Sequence, residues 1–222
     1  MVTDYDLAQL QLSSYKPNAP AYFEHWQDED SDHLVTWGLK STEEIERRSV
    51  AVIFRGSQTP LDWALDFFAL PYHPCVWMKD GALVHAGMFA GIERAVQDIQ
   101  AELLARFVTP DYTVYLGGHS LGGAHAAYAA RLLNRRVFPR VSLTTWGCPQ
   151  AGNRNFWLTL PAHPQTHYVN GFDPVPHVPF HFAAFPYAAS DYRVHLSNAP
   201  DVTKFDAIAW HDMKLYARGV AG

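Results

Sequence analysis

The sequence predicts an α/β fold in which a mostly parallel central sheet carries helices on both faces. Apolar runs typical of buried strands, such as "RRSVAVIFRG" and "YTVYLGG", alternate with helix-like segments between residues 50 and 170. From Met88 to Phe107, apolar residues recur at Ile92, Val96, Ile99 and Leu103, the spacing of an amphipathic helix that packs on a sheet. No internal repeat or linker divides the chain, so we expect a single domain over residues 1–222.

The remaining elements follow from local pattern in chain order. "YDLAQLQLSSY" has helical apolar spacing, "FEHWQDEDSDHL" reads as an acidic exposed loop, and "HLVTWGLK" as a strand. "TPLDWALDFFAL" suits a short helix that Pro60 begins, and "GALVHAGM" suits a short strand. The second half predicts strands in "VSLTTWGC", "THYVNGFD" and "YRVHLS", and helices over Leu121 to Leu133, "NRNFWLTL" and "WHDMKLYARG".

Composition excludes several classes of protein. The chain has 222 residues, 48% hydrophobic and 18% charged, which predicts a packed globule rather than a disordered chain. Its net charge is −5 and it has no Lys/Arg cluster, so nucleic acid is excluded as a partner. Composition does not indicate an oligomeric state.

Three sequence features bear on where in or outside the cell the protein is located. No run approaches the roughly 20 apolar residues that span a bilayer. The start, "MVTDYDLAQLQ", shows no secretion signal, which leaves a cytoplasmic protein, export by another route, or a mature form whose leader was removed. For Cys75 and Cys148 we expect free thiols, because a core of this size does not need a disulfide.

A serine lies between glycines in "GHSLG", residues 118–122, after a predicted strand and before a predicted helix. This is the G-x-S-x-G pattern in its required context, a sharp turn that exposes the serine hydroxyl at the carboxyl edge of the sheet. The alternatives are a structural turn or a phosphate loop, and Ala124 and His125 stand where a phosphate loop needs Lys and Ser or Thr. We therefore predict that Ser120 is a nucleophile.

A serine nucleophile needs a base and an acid that orients the base. Hydrolases with this turn place them in the chain order Ser, acid, His. Asp173 follows a predicted strand and so reaches the edge where Ser120 lies, whereas Asp191 precedes its strand and Asp201 lies in a loop.

Four histidines follow Asp173, at positions 177, 181, 195 and 211. His177 lies among prolines four residues from the acid, and His195 lies within a predicted strand. His211 follows a loop and opens a helix, so it is the predicted base, with His177 and His195 as alternatives. His85 and His119 are interpreted as hydrogen-bonded structural residues.

No metal site or cofactor is predicted. The sequence contains neither H-E-x-x-H nor a paired cysteine spacing, and Pro164 lies between His163 and His167.

The motifs "FRGS", "GHSLGGA", "VNGFDPVPH" and "WHDMKLY", in this order, resemble the class 3 lipase family of fungal-type lipases, which has the α/β-hydrolase fold. The resemblance implies a catalytic triad of Ser120, Asp173 and His211. It also implies oxyanion donors at Ser57 and at the backbone N–H of Leu121, and Gly56 allows the close approach that Ser57 needs. The alternative for Ser57 is a turn serine that caps the next helix.

Family members carry a lid helix directly after the oxyanion serine, which here corresponds to residues 59–70. Its predicted substrate-facing residues are Leu61, Trp63, Leu65, Phe67 and Phe68. Such a helix opens at a lipid interface, or it stays permanently docked, and amphipathicity fits both.

The predicted function is a serine ester hydrolase acting on acylglycerols or related lipids, a triacylglycerol lipase or carboxylesterase. Phospholipase A1 or feruloyl esterase activity is the alternative on the same fold. An acyltransferase would use the same acyl-enzyme, and the sequence does not separate it from a hydrolase. A noncatalytic binding module would have lost a triad residue or the oxyanion serine, and this sequence retains all of them.

Overall fold

The computed structural model describes residues 1–57, 75–78, 80–106, 109–134, 136–179, 187–188, 190–197 and 209–221. The predicted helix and lid over residues 59–70, with its five apolar positions, lie outside the described residues. Chain order gives the strands β1 (His25–Gln27), β2 (Trp37–Ser41), β3 (Ser49–Phe54), β4 (Cys75–Trp77), β5 (Leu83–His85), β6 (Thr113–His119), β7 (Arg140–Trp146), β8 (Gly152–Asn153), β9 (Gln165–Asn170), β10 (Tyr187–Ala188) and β11 (Arg193–Leu196).

Seven of these strands form a central sheet in the order β1-β2-β3-β6-β7-β9-β11. The pairs from β3 to β11 are parallel, and β1 and β2 add an antiparallel edge. β3 and β6 are buried along nearly their whole length, as apolar runs without alternation predict. The predicted α/β-hydrolase fold with a mostly parallel sheet is confirmed.

The helices are α1 (Asp4–Ser14), α2 (Ala86–Phe89), α3 (Ile92–Ala105), α4 (Leu121–Leu132), α5 (Arg154–Leu158) and α6 (Met213–Ala221). Short 3₁₀ helices occupy Ala19–Tyr22, Val175–His177 and Ala209–His211. Helices α1 and α6 share one apolar cluster with the sheet, and α3 and α4 share another with alternate residues of the same strands. The helices therefore cover both faces of the sheet.

Three local features differ from the prediction. Part of the acidic loop pairs with β2 as the edge strand β1. Strands β4, β5, β8 and β10 form a small second sheet. Of these, β5 was predicted as a short strand in "GALVHAGM", whereas β4, β8 and β10 were not, because segments of two or three residues carry no readable period. The helix expected from Met88 to Phe107 breaks at Gly91, which has φ = 77° and whose Cβ, if present, would lie 2.7 Å from Leu34.

Two expectations about the whole chain can be compared with the described residues. Cys148 is a buried free thiol, as expected. Among the described residues, no helix has both the length and the apolar character needed to cross a bilayer.

Candidate active site

Ser120 lies at the turn between β6 and α4 in a strained backbone conformation, with φ = 58° and ψ = −132°. The glycines on either side are required by contact rather than by flexibility. A Cβ at Gly118 would lie 2.0 Å from the carbonyl oxygen of Gly122, and one at Gly122 would lie 2.2 Å from that of Phe54. The "GHSLG" pattern is therefore explained by the close passage of strand and helix, and a non-glycine residue held at positive φ is typical of functional sites.

The side chains of Asp173 and His211 meet at the carboxyl edge of the sheet. His211 Nδ1 lies 2.7 Å from Asp173 Oδ2, and both side chains are almost fully buried. Asp173 follows the end of β9, and His211 ends the 3₁₀ helix before α6. Asp173 thus lies near the end of its strand, where the sequence led us to expect it, and the tertiary fold brings the His211 ring to it across 38 residues of chain.

Both oxygens of the Asp173 carboxylate accept hydrogen bonds. Oδ1 accepts the backbone N–H of Val175 at 2.9 Å. Oδ2 accepts from both His211 Nδ1 and the hydroxyl of Tyr216, a residue that sequence reasoning missed. Burial and the Asp173 charge raise the pKa of Tyr216 well above its ordinary value, so its hydroxyl stays protonated and donates.

Gly147 leaves the space in which the acid and the base meet. Its φ is 57°, and a Cβ there would lie 2.8 Å from His211 Cε1 and 2.9 Å from Asp173 Oδ2. The sequence signal for this position was the glycine directly after a buried strand in "WGCP".

Ser120 Oγ and His211 Nε2 are both buried, and neither has a hydrogen-bond partner among the described residues. The two atoms are therefore not hydrogen-bonded to each other in this structure. The rings of His119, the neighbour of Ser120, and His211 pack with centroids 4.5 Å apart, which places the base beside the turn. Catalytic hydrogen bonds are often long until substrate binds, so this geometry is compatible with a serine and its base.

The predicted oxyanion residues lie next to the turn. Gly56, which precedes Ser57, lies very close to the serine turn. A Cβ on Gly56 would be 2.5 Å from the His119 carbonyl oxygen and 2.9 Å from Ser120 Cβ. Leu121 is the first residue of α4, where backbone N–H groups lack helical acceptors. Ser57, His119 and His211 line one cavity of about 730 Å³, a volume typical of small-ligand sites.

The wall of this cavity comes from the end of α1 and the start of α6. Tyr15 and the apolar side chains of Leu12, Pro17 and Met213 contribute to it. Lys16, Asp212 and Lys214 also line it, which brings charged side chains to an otherwise apolar space.

The alternative acid and bases that the structure describes are exposed, unlike Asp173 and His211. His177 and His195 are exposed, and Asp191 forms an exposed ion pair with Arg154. His181 and Asp201 fall outside the described residues. Within the described ranges, no cluster of His, Cys, Asp and Glu side chains could hold a metal ion.

A strained serine at a strand-to-helix turn, beside a buried histidine and aspartate on a mostly parallel sheet, places the protein in the α/β-hydrolase class. The sequence model of class 3 lipases matches residues 51–183. The chain belongs to the class 3 lipase family.

Similarity to individual proteins agrees with this membership. The chain is 32% identical over 136 residues to a secreted mono- and diacylglycerol lipase of Fusarium solani, covering 60% of this chain and 40% of the relative. It is 30% identical over 165 residues to a lipase of Rhizomucor miehei, covering 71% and 44%. The chain thus spans less than half the length of these two relatives. The solved structure of the Rhizomucor miehei triacylglyceride lipase superposes with a TM-score of 0.67 at 22% identity, covering 87% of this chain and 78% of that one.

Proposed function

We propose that this chain is a serine ester hydrolase that cleaves carboxylic esters of acylglycerols or related lipids. The observation that carries the proposal is the buried bond between His211 Nδ1 and Asp173 Oδ2 beside the strained Ser120. Relatives named as lipases support an acyl ester as substrate. The cavity beside Ser57, with its apolar wall, supports it further.

In the proposed reaction, Ser120 Oγ attacks the ester carbonyl carbon while His211 Nε2 takes the hydroxyl proton. Asp173 accepts the Nδ1–H of His211, which holds the ring in the tautomer whose Nε2 is free to accept. The hydroxyl and N–H of Ser57 and the N–H of Leu121 stabilise the oxyanion. His211 then protonates the leaving alcohol, and water releases the acid by the same route.

The proposal is tested by hydrolysis of p-nitrophenyl esters of increasing chain length. We expect Ser120→Ala to lower kcat by about 10⁴- to 10⁶-fold. Ser142→Ala is the matched control, because it removes a buried hydroxyl that donates to the carbonyl of Pro164, away from Ser120. Equal rates for Ser120→Ala and the parent enzyme would contradict the proposal.

Substrate class is resolved by a panel of acylglycerols, phospholipids and feruloyl esters. We expect the highest kcat/KM on acylglycerols, as the names of the relatives suggest. A preference for phospholipid would instead assign phospholipase A1 activity. We also propose that residues 59–70 form a lid that makes transient contact with a lipid interface, which is tested by measuring activity across the substrate solubility limit. Export of the protein as a mature form is likewise a proposal, and cell fractionation tests it.

A further inference from the structure

His119 is a buried histidine that the proposed mechanism does not use as a base. Its Nδ1 lies 2.9 Å from the hydroxyl oxygen of Tyr15, and its Nε2 lies 2.8 Å from the backbone carbonyl oxygen of His211. The Tyr15 hydroxyl in turn accepts the backbone N–H of Gly56 at 3.1 Å. These three bonds form a continuous chain, and it joins the segment before Ser57, the serine turn and the base.

The donors and acceptors of this chain fit one arrangement only. The carbonyl oxygen of His211 can only accept, so Nε2 of His119 carries the hydrogen. A neutral ring then presents a lone pair on Nδ1, which accepts the hydroxyl hydrogen of Tyr15. Both ring nitrogens are therefore occupied, which excludes His119 as the base for Ser120.

His119 stays in this neutral form because of where it lies. Burial lowers its pKa well below the ordinary value, and the neighbouring His211 lowers it further. Burial likewise raises the pKa of Tyr15, so its hydroxyl keeps the hydrogen that it donates. Lys16, Asp212, Lys214 and His211 line the same cavity as the pair, and the charge of Arg55 also acts on Tyr15. The ring centroid of Tyr216 on α6 lies 5.8 Å from that of His119.

We propose that Tyr15 and His119 are positioning residues, which hold the main chain of His211 and the Gly56–Ser57 segment in the geometry that ester hydrolysis needs. The inference rests on the proposed function. Tyr15 caps the end of α1, so the bond chain ties the N-terminal helix to both halves of the site, the oxyanion segment and the base. Losing such a contact displaces the reacting groups by fractions of an ångström. This lowers kcat more than it changes substrate binding.

Two substitutions at one position separate the two halves of the chain. The side-chain amide nitrogen of His119→Gln reaches the place of Nε2 and can donate to His211, whereas the amide oxygen of His119→Asn takes the place of Nδ1 and accepts only from Tyr15. We expect His119→Asn to lower kcat about tenfold or more with KM within about twofold, and His119→Gln to restore most of that loss. Tyr15→Phe removes the acceptor of the Gly56 N–H as well as the donor to His119, so it should lower kcat about tenfold even though His119→Gln does not.

The matched control is His167→Gln. His167 is equally buried but bonds Thr145 and Gln165, away from the cavity. It should lower the thermal midpoint of unfolding and leave kcat unchanged.

The inference is overturned if His119→Asn keeps kcat within twofold of the parent, or if His119→Gln and His119→Asn lose kcat equally. If neither His119 variant folds, Tyr15→Phe decides alone, and an unchanged kcat overturns the inference. A parent enzyme that hydrolyses no ester at all would instead overturn the proposed function.

Discussion

The hydroxyl of Tyr216 donates to Asp173 Oδ2, the same oxygen that accepts Nδ1–H from His211. Two donors on one carboxylate oxygen, with the Val175 N–H on the other, leave the acid a single orientation. The Tyr216 hydroxyl is itself held by the backbone N–H of Asn170 at 3.2 Å. The acid is thus held from β9, from the loop after β9 and from α6.

Replacing Tyr216 by Phe should weaken both catalysis and stability. The change leaves the buried N–H of Asn170 without this acceptor, which costs about 1–3 kcal/mol in the free energy of unfolding. It also frees the Asp173 carboxylate to rotate, so kcat should fall about tenfold. Steady-state kinetics and urea unfolding measure the two effects. Tyr128→Phe, which removes a buried hydroxyl bonded to the Ala151 carbonyl, should lower stability alone. An equal kcat for both variants would remove Tyr216 from the account.

Gly147→Ala should abolish most activity. The added methyl group would occupy the space between His211 Cε1 and Asp173 Oδ2, and it would do so at φ = 57°. A displacement of about 1 Å costs on the order of 100-fold in rate. Gly81→Ala is the control for backbone strain, because Gly81 has φ = 81° but its nearest neighbour would be 3.4 Å away. If Gly147→Ala loses no more activity than Gly81→Ala, the close packing of His211 and Asp173 against Gly147 is not required for activity.

Ser57→Ala should lower kcat by about 10²- to 10³-fold, because one oxyanion donor is lost. KM for a short-chain p-nitrophenyl ester should change little, since the hydroxyl is proposed to act in the transition state. A loss of less than threefold would favour the alternative, in which Ser57 serves only as a turn residue.

Stability should decline in mild acid. Burial lowers the pKa of His125 to about 4 and that of His167 to about 3, whereas an unfolded histidine titrates near 6.5. Below pH 6.5 the unfolded chain binds protons that the folded chain does not, so the free energy of unfolding falls by up to about 1.4 kcal/mol per pH unit for each histidine. The fall levels off below the folded pKa values. Urea titrations from pH 7 to 5 measure it, and the gap between parent and His167→Gln should narrow as pH falls. A pH-independent gap would contradict the assignment of His167 as a buried neutral histidine.

The sequence was sufficient to predict where the candidate site residues that follow strands would lie. Asp173 lies three residues after the end of β9, and Ser120 comes directly after β6, so parallel pairing brings both to one edge of the sheet. Strand position does not predict the roles of Tyr15 and Tyr216. Their roles depend on how α1 and α6 pack on one face of the sheet. The local sequence pattern does not indicate how a helix packs against distant parts of the chain.

The break at Gly91 shows the same limit on a smaller scale. Apolar residues on both sides keep helical spacing, so the pattern favours one helix. The close approach of Leu34 requires a glycine at positive φ, and this contact joins residues distant in the chain. The second sheet escaped prediction for a related reason, since its strands are stabilised by their partners rather than by their own pattern.

The proposed function depends on His211, held by Asp173, making the hydroxyl of Ser120 reactive. Its most direct test is the rate of labelling by a fluorophosphonate, with the modified peptide located by mass spectrometry. We expect a single adduct on Ser120, formed at least about 100-fold more slowly in His211→Ala. An adduct on another residue, or an unchanged labelling rate in His211→Ala, would contradict it.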